Sequence, residues 1–289
     1  MSEGGDAAES SRFVDLHSHS TASDGILAPD AVVAAAHAAG LSALALTDHD
    51  TTAGIPLATI TGEAVGLRIV PGVELSAHYG NDEIHVLALH VTRLDLLESR
   101  LETLRAGRQV RASLIVERLR SLGLNVTVEM VMKEAGDASV GRPHVARALI
   151  RAGSVRDFRE AFDRYLGAGR PGFVPKERLE VRDAIAMTHQ AGGLAIWAHP
   201  GSDARRARLE PLVEAGLDGV EVRHPSHDSE DIKRIGALVD FFSLVPSGGS
   251  DWHGSVEGPR TVGSMKIPAE WLDRQDARVA SRLQPVAQS

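Results

Sequence analysis

Short, almost wholly apolar stretches recur along this chain, each preceded by a helical run that ends in Ala-Gly. Residues 31–40 lead into Leu41-Ser-Ala-Leu-Ala-Leu-Thr47, residues 184–193 into Leu194-Ala-Ile-Trp197, and residues 212–216 into Gly219-Val-Glu-Val222. Gly40, Gly193 and Gly216 read as helix stops. Further strands are expected at 12–16, 67–70, 84–89 and 241–245. Apolar strands alternating with helices predict a parallel sheet buried on both faces, closed into a barrel or doubly wound.

Residues 96–166 break this rhythm with three or four charged helical stretches and few strand signals. They read as a helical insertion, with Gly167-Ala-Gly-Arg-Pro-Gly172 as the return loop and residues 175–181 as the re-entry. The expected organisation is a disordered tail at 1–11, a main domain at 12–95 and 167–280, the insertion at 96–166 and a tail at 281–289.

Composition narrows the chemistry. The 289 residues are 43% hydrophobic, enough for a sizeable core, and contain no cysteine. Disulfides and thiolate metal sites are excluded, so His, Asp and Glu remain as strong metal ligands. No stretch approaches the apolar length of a membrane span, and the N-terminus lacks an apolar signal core, so a cytoplasmic protein is expected. The net charge of −8 argues against broad duplex binding, but it is unevenly spread. Residues 100–182 hold 17 Lys+Arg against 10 Asp+Glu, net +7, and the rest holds 14 against 29, net −15. An acidic body suits metal ions, and a basic insertion suits an anionic substrate.

Six of the 13 histidines fall at expected strand termini. Asp15-Leu-His17-Ser-His19 places two imidazoles at i and i+2, on one side of an extended segment. Asp24 follows in a Ser-Asp-Gly turn. Thr47-Asp48-His49-Asp50 ends the next unit, Pro71-Gly-Val leads to Glu74, and Ile84 is followed by His85. Late in the chain come Trp197-Ala-His199-Pro200 and Ser250-Asp251-Trp-His253. Polar residues there have no folding motive, and in parallel α/β folds the carboxyl ends of strands form the functional face.

Asp-Leu-His-Ser-His-Ser, Thr-Asp-His, Ala-His-Pro and Ser-Asp-Trp-His resemble the four motifs of the polymerase and histidinol phosphatase (PHP) superfamily. The match spans residues 13–253 in the expected order, and the insertion is similar to that of the branch related to RNase AM and nucleoside 3′,5′-bisphosphate phosphatases. The resemblance implies an α/β fold, a distorted (β/α)7 barrel, carrying three divalent ions. Manganese is expected, with iron, zinc or magnesium as alternatives. It implies one ion on His17, His19, Glu74 and Asp251, a second on Glu74, His85 and His199, and a third on Asp24, His49 and His253. Asp24, His49, His199 and His253 are the expected catalytic residues, and Asp15, Asp48 and Asp50 are expected to orient imidazoles.

Hydrolysis by metal-activated water is the expected reaction. In the basic insertion Arg108, Arg111, Arg142 and His144, with Lys176 after it, are candidate phosphate contacts, since arginine's planar fork matches phosphate oxygens. His227, in His224-Pro-Ser-His227, resembles the family's substrate-side residue. The leading reading is removal of the 3′-phosphate from nucleoside 3′,5′-bisphosphates, with 5′-to-3′ trimming of short RNA or DNA. Histidinol-phosphate phosphatase and a non-catalytic metal-binding regulatory module are the alternatives; no membrane and no obligate protein partner is expected. His37 and His189 read as structural, and Trp197 as core.

Overall fold

A computed structural model describes residues 13–136, 140–175 and 178–283. The expected tails fall largely outside these residues. The described chain forms two compact units, one running up to Leu94 and from Glu180 onward, the other Asp95–Leu179.

The first unit is an α/β barrel. Its strands are β1 (Phe13–Asp15), β2 (Ala43–Leu46), β3 (Arg68–Tyr79), β4 (Asp82–Leu89), β5 (Leu194–Trp197), β6 (Gly219–Arg223), β7 (Val245–Gly248) and β8 (Ile267–Pro268). They are ordered β7-β6-β5-β4-β3-β2-β1-β8. The Leu16 N–H donates to the Gly248 carbonyl at 3.1 Å, which draws β1 and β7 together and nearly closes the sheet. β8 pairs antiparallel with β1. The result is the distorted (β/α)7 barrel with one short added strand.

Val14, Leu16, Ala43, Ala45, Val70, Leu87, Leu89, Leu194, Ile196 and Val245 fill a single core cluster. Filling the barrel with branched side chains makes it a packed core, not a pore. A second cluster packs Val32, Val33 and Ala36 of α1 (Pro29–Ala38) and Ala58 of α2 (Ile55–Val65) against Leu44 and Leu46.

The sheet is not all parallel. β3 runs for 12 residues, well beyond the expected 67–70, and forms an antiparallel hairpin with β4, which is also antiparallel to β5. The cause is the two-residue Gly80-Asn81 connection between the paired Tyr79 and Asp82, with Gly80 at φ +64°. Such a pair is a hairpin signal. The strand expected at 241–245 is also corrected. Phe241 ends α9 (Ser229–Phe241), which Asp228 nucleates by accepting the Glu230 and Asp231 N–H groups at 2.8 Å, and β7 begins only at Val245. The helix stop before β5 is Gly192 at φ +78°, one residue earlier than expected.

In the second unit lie most of α3 (Leu94–Ser121), then α4 (Val128–Ala135), α5 (Arg142–Arg151), α6 (Phe158–Ala161) and a π-helical turn, Phe162–Leu166. This unit continues past the expected return loop to Leu179. It has its own core of Ile115, Leu119, Val131, Val145, Leu149 and Leu166. Back in the barrel, α7 (Val181–Gln190), α8 (Arg206–Glu214) and α10 (Ala269–Leu283) complete the outer layer.

Candidate metal centre

The barrel brings all nine expected ligands together, around one carboxylate. Glu74, 1% exposed, reaches His17, His19 and His49 with Oε2 at 3.1, 3.2 and 3.3 Å. Its Oε1 reaches His85 at 2.7 Å and His199 at 3.0 Å. Most ligands owe their place to a strand end: His17 and His19 follow β1, His49 follows β2, His199 follows β5, and Asp251 and His253 follow β7, whereas Glu74 and His85 lie within the β3–β4 hairpin, where Glu74 pairs with Leu87 and His85 with Ser76. Gly249 permits the closest approach, since a Cβ there would lie 2.5 Å from the His17 Cβ.

Ligand atoms about 2.1 Å from one ion stand roughly 3.0–3.4 Å apart in octahedral or tetrahedral geometry. His17 Nε2, His19 Nε2, Glu74 Oε2 and Asp251 Oδ1 meet that spacing, with His17–His19 at 3.1 Å, His17–Asp251 at 3.4 Å and His19–Asp251 at 3.2 Å. His19, Asp24, His49 and His253 form a second group able to hold an ion, and His49, Glu74 and His85 a third. His199 Nε2 stands 3.3 Å from His85 Nδ1, beside the same Glu74 oxygen. The buried His19 Nδ1 has no hydrogen-bond partner, and Asp24 Oδ1 lies 3.6 Å away. The donor set, its spacing and this orphaned nitrogen fit divalent cations.

Electrostatics agree. Burial alone would raise Glu74, but its imidazole partners, His17 foremost, hold it well below the usual carboxylate range. Asp251 is lowered likewise through His19 and His224 against its burial, and Asp24 falls to about 2 through His253 and the neighbouring imidazoles. Burial would lower the histidines, yet His17 is raised well above its ordinary value by Glu221 and Glu74, and His19 to about 9 by Asp251 and Glu74. Protons on these rings take the place of cations among the carboxylates.

Asp15 and Asp48 do not act as expected. Asp15 accepts the Ser250 N–H and hydroxyl at 2.9 and 2.6 Å and the Gly263 N–H at 2.8 Å. Asp48 accepts the Ser20 N–H and hydroxyl at 2.7 Å, and the Asp50 carboxylate accepts the Ser76 N–H at 3.0 Å. Asp15 and Asp48 fix the backbone of the ligand loops rather than the rings. The carboxylate on an imidazole's outer nitrogen is Glu221, 3.1 Å from His17 Nδ1, a residue the sequence reading passed over. His224, with Nε2 3.3 Å from Asp251 Oδ2, and Arg260, paired to the same oxygen, were also missed. A Glu inside the apolar Gly219-Val-Glu-Val222 was a usable signal; Arg260 lies in a loop with none.

The substrate candidates divide. His227 has both ring nitrogens engaged with backbone, Nδ1 at 3.0 Å from the Val222 carbonyl and Nε2 accepting the Gly201 N–H at 3.1 Å. The residue of that loop reaching the ligand cluster is His224. In the second unit Arg111 donates to the Val174 carbonyl at 2.8 Å, and burial together with the nearby Arg142 and Arg108 lowers its affinity for its proton. Arg142 donates to the Leu166 carbonyl at 3.1 Å and lies over the rings of Phe162 and Phe173. His144 caps its own helix, Nδ1 accepting the Gly141 N–H at 3.0 Å. Lys176 lies outside the described residues. Trp197 and Trp252 are core residues, and His189 bonds Asp218 at 2.9 Å.

Among the described residues no helix is long and apolar enough to cross a membrane. A PHP domain family model matches residues 15–118. Over 257 residues the chain is 35% identical to the 3′,5′-nucleoside bisphosphate phosphatase of Chromobacterium violaceum, covering 86% of this chain and 90% of that protein. It is 36% identical over 246 residues to a 5′-3′ exoribonuclease of Haemophilus influenzae, covering 83% and 89%. A solved structure from Bifidobacterium adolescentis, assigned as a metal-dependent phosphoesterase, matches with a TM-score of 0.71 at 31% identity, covering 92% and 96%. Strand-end ligands, barrel and relatives converge: the chain belongs to the PHP domain family and has its metal-dependent phosphoesterase fold.

Proposed function

We propose that this protein removes the 3′-phosphate from nucleoside 3′,5′-bisphosphates and trims short oligonucleotides from their 5′ ends, using three divalent ions, manganese foremost. The observation that carries the reading is the buried Glu74 carboxylate in contact with five imidazoles. Such an arrangement has no folding advantage over apolar packing, and Glu74 with these imidazoles would hold divalent cations. Bound divalent ions supply neutralisation of the phosphoryl charge and a water acidic enough to attack at neutral pH.

The chain's own residues set the direction of attack. His17, His19 and Glu74 form the closed floor, whereas Asp24, half exposed, and the partly exposed His49, His85, His199 and His253 rim the open side. Substrate enters over that rim. The His253 Nε2 stands 3.3 Å from Asp24 and its Nδ1 2.9 Å from the Asp251 carbonyl, which fixes the ring at the edge where a leaving oxygen departs. No serine or cysteine nucleophile is called for.

The second phosphate distinguishes this substrate class. Burial and then the charges of Arg142 and Arg108 lower the pKa of Arg111, and a group of one sign suits a phosphate dianion. The relatives named for a bisphosphate phosphatase and an exoribonuclease support a nucleotide over histidinol phosphate, which carries one phosphate. Phosphate release should be compared for a nucleoside 3′,5′-bisphosphate, a 3′-monophosphate, histidinol phosphate and a 5′-phosphorylated trinucleotide, all with manganese. Preference for the first is expected; turnover of histidinol phosphate alone would overturn the reading.

A further inference from the structure

Strand β6 supplies none of the nine ligands, yet it buries a carboxylate in its middle. Glu221 is 0% exposed. An ionised carboxylate in that position is costly unless every lone pair finds a donor of the right geometry. Its partners are two residues of the metal centre. Oε1 lies 3.1 Å from His17 Nδ1, and Oε2 accepts the His199 backbone N–H at 2.8 Å. With Nδ1 engaged as a donor, His17 presents Nε2 as the nitrogen facing His19, Glu74 and Asp251. His199 is held at φ +31°, a left-handed conformation that a non-glycine residue keeps only when its surroundings enforce it.

Three residues on, His224 is also buried. Its Nδ1 accepts the Ser226 N–H at 3.1 Å, so the ring proton resides on Nε2, which points at Asp251 Oδ2 3.3 Å away. The free oxygen of Asp251, Oδ1, is the one that stands among the His17 and His19 nitrogens.

We infer that Glu221 and His224 form a bracing pair that presets three metal ligands from three other strands: the His17 tautomer, the His199 backbone and the Asp251 carboxylate. Both are positioning residues, and the inference rests on the reading of this cluster as a metal centre. Glutamine cannot replace Glu221, because it offers one acceptor where two N–H donors converge. Positioning partners of this kind contribute roughly 10–100-fold to metal affinity.

The test is Mn2+ binding by equilibrium dialysis with metal analysis, on wild-type protein, Glu221→Gln and His224→Asn, with circular dichroism to confirm folding. Weakening of Mn2+ affinity by about 10–100-fold in Glu221→Gln, and a smaller loss in His224→Asn, is expected. Unchanged affinity in a folded Glu221→Gln overturns the inference while leaving the metal centre intact; a wild-type protein that binds no Mn2+ overturns both. Should the variants not fold, long-range 1H–15N spectra of the Zn2+-loaded wild-type protein decide the matter. A His17 ring protonated at Nδ1 supports the bracing pair, and metal at Nδ1 refutes it.

Discussion

The barrel's ligand end and the inserted unit both concentrate charge, but they hold it in opposite ways. At the ligand end, charges of both signs interlock: five imidazoles surround Glu74, and Glu221 and His224 stand behind them. In the inserted unit Arg111 and Arg142 are of one sign and are tied to the carbonyls of Val174 and Leu166 and to aromatic rings. The first arrangement is complete in itself once cations replace protons. The second gathers positive charge that an anion would neutralise. Under the function proposed above, the chemistry and the choice of substrate are built separately, one from the barrel strands and the other from helices.

Four changes would break or sharpen that contrast. The largest effect is expected from Glu74→Gln, which removes the charge shared by two groups of ligands. Phosphate release should fall by on the order of 10³-fold, the scale of losing one electrostatic group in a water-poor site, with metal content reduced in parallel. Arg111→Leu should leave metal content unchanged and raise the KM for a bisphosphate by roughly 10–100-fold, since a charged hydrogen bond contributes about 1.5–3 kcal/mol. A 3′-monophosphate should be nearly insensitive to it, and equal losses for both substrates would contradict a second-phosphate role.

pH acts on the ligand end. His19, raised to about 9 from 6.5 chiefly by Asp251 and Glu74 against the effect of burial, is protonated at neutral pH without metal and must lose that proton to ligate. Mn2+ affinity should therefore rise by up to about tenfold per pH unit between pH 6.5 and 9 and then level. Metal-free protein moves the other way: the stabilisation from this raised pKa is fully present below 6.5 and lost by about 9, so its Tm should fall across that range. Calorimetric titration in buffers of different ionisation enthalpy detects the proton release. The smallest effect is expected from His144→Ala. Loss of its capping bond should cost about 1 kcal/mol of stability and alter KM by less than about twofold, which scanning calorimetry and steady-state kinetics would check.

How far the sequence reached differs between the two regions for a physical reason. Metal ligands must project to one end of the barrel, so His17, His19, Glu74, His85, His199 and Asp251 stood out as polar residues in or beside apolar strands with no folding motive. The residues behind them left weaker marks. Glu221 sits within a strand that otherwise reads as core, and His224 was passed over for His227, because nothing in His-Pro-Ser-His says which ring faces inward. The antiparallel pairing of β3 with β4 stayed hidden because the Gly80-Asn81 pair was not read as a turn. In the insertion, helical surfaces tolerate arginine anywhere, so Arg111 and Arg142 could not be separated by sequence from solvated neighbours, and His144 proved to be a cap.

The account stands or falls on whether the nine ligands hold three ions. Crystals grown with Mn2+ and measured at the manganese absorption edge give the most direct answer. Three anomalous peaks are predicted, one among His17, His19, Glu74 and Asp251, one beside Glu74, His85 and His199, and one among Asp24, His49 and His253. A single peak, or none, at full Mn2+ saturation would contradict the central claim.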